Sequence, residues 1–309
     1  MRMHAWVLAA IPLVIAVFGS SEAAGDAGAI SEIVVFGSST SDQGNALLLV
    51  GAGSPPYFEG RFSNGPNWID ILADELGLPR PAPSEAGGTN YAVAGAETGA
   101  GFGTLAPFAP NLGEQVISFG LDGHELDGDE LIVVRGGAND ALAQALLEPP
   151  DEMFWTPGRA VANIGDHVRA LASAGGTRFL VANLGGFADS PFLRSFGLTQ
   201  DVTLWQEEFR ERLKSAMGAL QESLGVGITV FDADKVASKL LQQPERLSLT
   251  NLVDPACPGC GFGVPAPGAG DTIVPNPDEH YYWDLLHTTA GVNAYVGRRA
   301  AELVQEEIP

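Results

Sequence analysis

Short apolar runs alternating with stretches of helical spacing constrain this chain more than any other feature. The runs are residues 32–36 (EIVVF), 131–134 (LIVV), 179–182 (FLVA) and 227–231 (GITVF). Their brevity and Val/Ile content read as buried strands rather than helices. Between and after them the apolar spacing changes. Residues 67–76 (NWIDILADEL) predict a helix that stops at Gly77. Residues 159–174 predict another, closed by Gly175-Gly176. Residues 200–224 predict the longest, with Leu204, Phe209, Leu213, Met217 and Leu220 near one face, and 288–304 the last. Strands buried on both faces and separated by helices fit a mostly parallel central sheet covered on each side. The expected fold is therefore α/β, a three-layer α/β/α sandwich. Neither an internal repeat nor a low-complexity linker divides it, so residues 24–309 are expected to form one domain.

Composition narrows the function. The chain has 309 residues, 45% of them hydrophobic and 17% charged, which supports a large core. Lys and Arg total 16 against 38 Asp and Glu, a formal net charge of -22. Nucleic-acid binding depends on cationic side chains neutralising phosphates, so it is excluded as a function class. Anionic membrane surfaces are disfavoured for the same reason. Two cysteines support neither a disulfide scaffold nor a four-Cys metal site.

Residues 1–23 read as a cleavable signal peptide. Arg2 and His4 supply a basic start, residues 5–18 an uncharged apolar run interrupted by Pro12, and Ser21-Glu22-Ala23 a small-x-small exit. The apolar run is short for a membrane span, which needs about 20 residues. A secreted or periplasmic protein without stable membrane insertion is expected.

In parallel α/β sheets, ligands bind beyond the carboxyl ends of the strands. The first strand is followed by Gly37-Ser38-Ser39-Thr40-Ser41-Asp42-Gln43-Gly44-Asn45. A serine there can be presented on a tight turn with backbone N–H groups beside its oxygen. Capping of the next helix is the competing use of these hydroxyls. After the second strand comes Arg135-Gly136-Gly137-Ala138-Asn139-Asp140, in which an Asn amide can donate to an oxyanion or simply cap a helix. Between them, Asn90 to Ala96 is a small-residue loop that could offer the Gly95 N–H. Near the C-terminus, Asp284 and His287 stand three residues apart, a spacing that lets the carboxylate orient the imidazole.

These four segments, in this order, resemble the SGNH (GDSL-type) hydrolases, a family of serine esterases and lipases. The first block of that family reads F-G-D-S-x-S-D-x-G-N. Here it is Phe36 to Asn45, FGSSTSDQGN, and the trailing Ser41-Asp42-x-Gly44-Asn45 sets the register. The stretch from Gly60 to Leu78 is similar to the bacterial lecithinase/haemolysin and plant lipase branch. The resemblance implies the SGNH, flavodoxin-like version of the sandwich and a serine esterase mechanism. It places the nucleophile on Ser39, the base on His287 and its carboxylate on Asp284. The oxyanion hole falls on the Ser39 and Gly95 N–H groups and the Asn139 amide. A small-molecule or lipid ester is the implied substrate, and no metal or organic cofactor is implied.

Two positions depart from the family pattern. Ser38 stands where the family has Asp, and Thr288 where it usually has Pro. Because Ser38 carries no charge, a catalytically weakened binding protein on the same scaffold remains an alternative, as does a carbohydrate acetyl esterase. Cys257 and Cys260, in a Gly/Pro-rich stretch, are expected to form a disulfide bracing the loop before Asp284. His280 lacks an acid at the right spacing and reads as loop surface. His124, in an acidic turn, reads as solvated loop, with a calcium site as the other reading. Trp68 and Trp283 read as core or cleft wall, and Trp155 and Trp205 as packing or acyl-pocket lining.

Overall fold

The computed structural model describes residues 29–147 and 156–308. The signal-peptide reading and Trp155 lie outside them. The central sheet has four strands: β1 (Ile33–Gly37), β2 (Leu131–Arg135), β3 (Arg178–Ala182) and β4 (Gly227–Phe231). They pair in that order, all parallel. On the outer edge of β1, Tyr91 and Val93 donate to the carbonyls of Val35 and Gly37, so the 89–93 segment runs along it.

Strand alternation divides the side chains between two cores. Val34, Phe36, Ile132, Val134, Phe179 and Val181 pack with helices α3 (Leu112–Leu121), α5 (Pro157–Ser173) and α7 (Thr199–Leu224). Ile33, Val35, Leu131, Val133, Leu180 and Phe231 pack with α2 (Trp68–Leu76) and α9 (Ala290–Glu307). The result is the expected three-layer sandwich. Contact between α2 and α9 is tight: a Cβ at Gly297 would collide with the Trp68 carbonyl and Ile71. Trp68 is fully buried there, as core.

Local sequence accounts for the helix ends. Asn67 caps α2 by accepting from Ile69 and Asp70, and the Asp70 carboxylate reaches back to the Asn67 N–H. Gly77 ends that helix in the left-handed conformation, which glycine adopts without a Cβ penalty. Thr156 caps α5 and Pro157 opens it.

Two sequence readings need correction. On α7, Leu204 is 59% exposed, and Val202 and Trp205 are buried instead. Positions 205, 209, 213 and 217 advance four residues at a time along one face, and 204 sits about 100° off that stripe. Trp205 stacks on Phe209, so it packs in the core. The last helix begins at Ala290, not 288, because Thr288 bridges back to Tyr282.

A second, two-stranded parallel sheet pairs β5 (Asn251–Pro255) with β6 (His280–Tyr282). It was not legible in the sequence. Ala256 and Cys257 extend the pairing by donating to the carbonyls of Tyr282 and Trp283. The 256–274 loop is thereby tied to the segment carrying Asp284 and His287.

Candidate active site

Ser39 lies on a turn directly after β1. The N–H groups of Ser41 and Asp42 both donate to the Ser38 carbonyl, which leaves Ser39 and Thr40 at the bend. The hydroxyls do not cap a helix: α1 (Asn45–Val50) starts later, and its N-cap is Gly44, with no side-chain hydrogen bond.

Asp42 holds this turn. Its buried carboxylate accepts from the N–H groups of Gly44, Asn45 and Ala46, and from Ala94 at 2.9 Å. Burial pushes its pKa up to about 6 despite those four donors, which favour the charged form. The Ala94 bond joins the Ser39 turn to the Gly95 loop. Asn45 adds to this by donating to the carbonyls of Asn90 and Ala92.

Gly95 has φ +91, a conformation that side chains other than glycine rarely adopt, and a Cβ there would strike Ala106. Asn139 lies in the first turn of α4 (Ala138–Leu147). Its amide donates at 2.8 Å to the Ala96 carbonyl, which fixes the group and leaves its second N–H for another acceptor.

Asp284 and His287 sit on the segment that doubles back after β6, where Trp283 donates to the His287 carbonyl. His287 Nδ1 is 2.7 Å from Asp284 Oδ2. Oδ1 accepts the backbone N–H groups of Leu286 and His287. Asp284 is fully buried, and His287 is 7% exposed. Among the described residues, His287 Nε2 has no hydrogen-bond partner.

Ser39, Gly95, Asn139 and His287 come from four separate stretches of chain and line one cavity of about 320 Å³. Its remaining walls are apolar and include Phe62, Leu105, Phe108, Leu142, Phe192 and Phe262. Phe262 and Val264 are exposed at 47% and 72%. An arrangement of this kind can pass a hydroxyl proton to an imidazole and meet a developing oxyanion with amide donors.

Two further residues enter the site that the sequence reading did not single out. Tyr57 donates at 2.6 Å to Asp284 Oδ2 and at 3.1 Å to the Cys260 carbonyl. Its own burial and the Asp284 charge push the phenol pKa up, so it stays a donor. The Phe62 ring lies 5.1 Å from the His287 ring, centre to centre. Both belong to a Gly/Pro-rich stretch between helices, and only the fold brings them here.

The remaining candidates lie elsewhere. Cys257 and Cys260 are joined by a disulfide in the structure. Trp283 packs beneath it with Tyr57. His280, read as loop surface, is instead half-buried at the start of β6, with Nδ1 at 3.0 Å from the Asp254 carbonyl. His124, read as solvated, stacks on Phe119. Carboxylate oxygens of Asp127, Asp129 and Glu130 cluster near it, but Glu130 already accepts two backbone N–H groups and Asp129 the Ser31 hydroxyl.

Comparison with known proteins identifies the family. A family model described as GDSL-like Lipase/Acylhydrolase matches residues 33–300. A phosphatidylcholine-sterol acyltransferase from Aeromonas hydrophila is 28% identical, covering 93% of each chain. A GDSL esterase/lipase from Arabidopsis thaliana is 27% identical, over 86% of this chain and 85% of its own length. Among solved structures, one described as a putative arylesterase from Agrobacterium tumefaciens is 17% identical, with a TM-score of 0.47 over 90% of this chain and 99% of its own. The chain belongs to the GDSL-like lipase/acylhydrolase family and is a hydrolase of ester bonds.

Proposed function

We propose that the protein is an exported, single-domain serine carboxylic-ester hydrolase with Ser39 as nucleophile, His287 as general base and Asp284 as its orienting carboxylate. Ser39 Oγ attacks the ester carbonyl while His287 Nε2 takes its proton. The same proton goes to the leaving alcohol as the acyl-enzyme forms. Water, activated by His287, then releases the acid. The N–H groups of Ser39 and Gly95 and the Asn139 amide meet the tetrahedral oxyanion. The observation that carries this reading is the convergence of Ser39, Gly95, Asn139 and His287 on one cavity, with His287 held by Asp284.

The apolar walls of that cavity support an acyl chain rather than a sugar as the group bound beside Ser39. Export rests on residues 1–23. Among the described residues, no helix is long and apolar enough to cross a membrane.

Hydrolysis of p-nitrophenyl esters from acetyl to palmitoyl, by the purified protein beside its Ser39→Ala variant, tests the reading. Turnover is expected to vanish in the variant and to favour chains longer than acetyl. Retained turnover in Ser39→Ala rejects the nucleophile. A strict acetyl preference turns the reading to the acetyl esterase, and silence on every chain length to the binding protein.

A further inference from the structure

A second cavity, of about 60 Å³, shares Leu286 and His287 as walls with the larger one. Arg135, the last residue of β2, lines it. Its guanidinium lies over the Trp68 ring at 5.4 Å, a contact that engages the cation's face but accepts none of its N–H groups. Among the described residues, nothing forms an ion pair with Arg135 and nothing accepts a hydrogen bond from it. Burial lowers its pKa to about 10, so it is still cationic at neutral pH.

Other donors face the same space without partners. Tyr281 is 1% exposed and lines the cavity, and its hydroxyl bonds to no described residue. The same holds for the Ser38 hydroxyl, at 5% exposure. No Asp or Glu lines the cavity. In a chain with 38 acids against 16 bases, that is the reverse of the general surroundings. Arg135 is half-buried with no protein acceptor for its N–H groups, and the Tyr281 and Ser38 hydroxyls, on residues that are themselves buried, donate to no described residue, so all three are free to take a ligand.

We infer that the cavity beside His287 is an anion site in which the Arg135 guanidinium and the Tyr281 and Ser38 hydroxyls bind one small mononegative anion, either a halide such as chloride or a short carboxylate such as acetate. All three groups are donors on the wall of the same cavity, and Arg135 balances the charge. The volume matches this class. One water needs roughly 10–15 Å³ of such space, so about 60 Å³ leaves room for a small anion. Ser38 is central, because an Asp there would put a carboxylate on the cavity wall and supply the negative charge from the chain itself.

Crystals of the full chain soaked in sodium bromide test the site directly. An anomalous peak within hydrogen-bond reach of Arg135 and Tyr281 is expected. Excess acetate that removes the peak identifies the carboxylate as the better ligand; a peak that survives identifies the halide. In solution, the melting temperature is measured in chloride, acetate and gluconate at constant ionic strength. Chloride or acetate, but not bulky gluconate, should raise it saturably by a few degrees, because only the folded state holds the anion. Arg135→Gln and Ser38→Asp should each remove that rise, the first by deleting the cation and the second by occupying it. Should Arg135→Gln fail to fold, Ser38→Asp and the bromide map still decide. No bromide or acetate at Arg135, with the three salt series superimposed, overturns the proposal. None of these readouts depends on ester hydrolysis.

Discussion

Tyr57 and Asp284 show how one hydrogen bond couples two distant parts of the chain. The Asp284 carboxylate accepts from Tyr57, from His287 Nδ1 and from two backbone N–H groups, all while fully buried. Tyr57→Phe keeps the ring against Trp283 and Phe62 and removes one charged hydrogen bond. The expected result is a loss of about 1.5–3 kcal/mol in stability, read by urea unfolding. With Asp284 held less firmly, kcat should fall roughly tenfold, equivalent to ~1.4 kcal/mol, with KM little changed. At the neighbouring histidines, His287→Ala should be inactive and His280→Ala active. The reverse would place the base on the wrong residue. Asn139→Ala, which removes one of the proposed oxyanion donors, should lower turnover about a hundredfold or more.

At the scale of elements, the site depends on short loops locked to each other rather than on the strands alone. Asp42 binds the Ala94 N–H, and Asn45 binds the Asn90 and Ala92 carbonyls, so the β1 turn and the Gly95 loop move together. Gly95→Ala meets both a positive φ and the Ala106 side chain. It should cost about 1–3 kcal/mol of stability and most of the activity, read by thermal unfolding and ester turnover. On the opposite side, the β5–β6 sheet and the Cys257–Cys260 disulfide fix the loop whose Cys260 carbonyl receives Tyr57. Alkylation of the unreduced protein followed by mass spectrometry should find no modified cysteine. Two labelled thiols would leave that loop braced by hydrogen bonds alone.

At the scale of the whole molecule, charge sets the response to pH. Burial pushes Asp42 up to about 6 and Asp140 up to about 7, the latter helped by Glu97 and opposed by the Thr98 hydrogen bonds. Both carboxyls therefore hold protons in the folded state at pH values where the unfolded chain has lost them. Stability then falls as pH rises from about 4 through 6 to 7. Repulsion within a chain of net charge -22 acts in the same direction. Urea midpoints should be higher at pH 5 than at pH 8, and Asp140→Asn should shrink the difference. An unchanged difference in that variant would move the pH dependence elsewhere.

The sandwich itself was legible in the sequence, because burial on both sheet faces demands continuous Val/Ile runs and capped amphipathic helices. Gly77 and the Gly175-Gly176 pair marked helix ends by local chemistry that needs no tertiary partner. Asp284 and His287 were legible for the same reason, since their spacing alone lets one side chain reach the other. Leu204 was misread because a 26-residue helix shows several apolar faces and only packing selects one. Tyr57, Phe62 and the unpaired Arg135 carry no local signal. Each acts across a long sequence separation, from Tyr57 to Asp284 above all, and only the folded chain decides which groups meet and which charge is left without a partner.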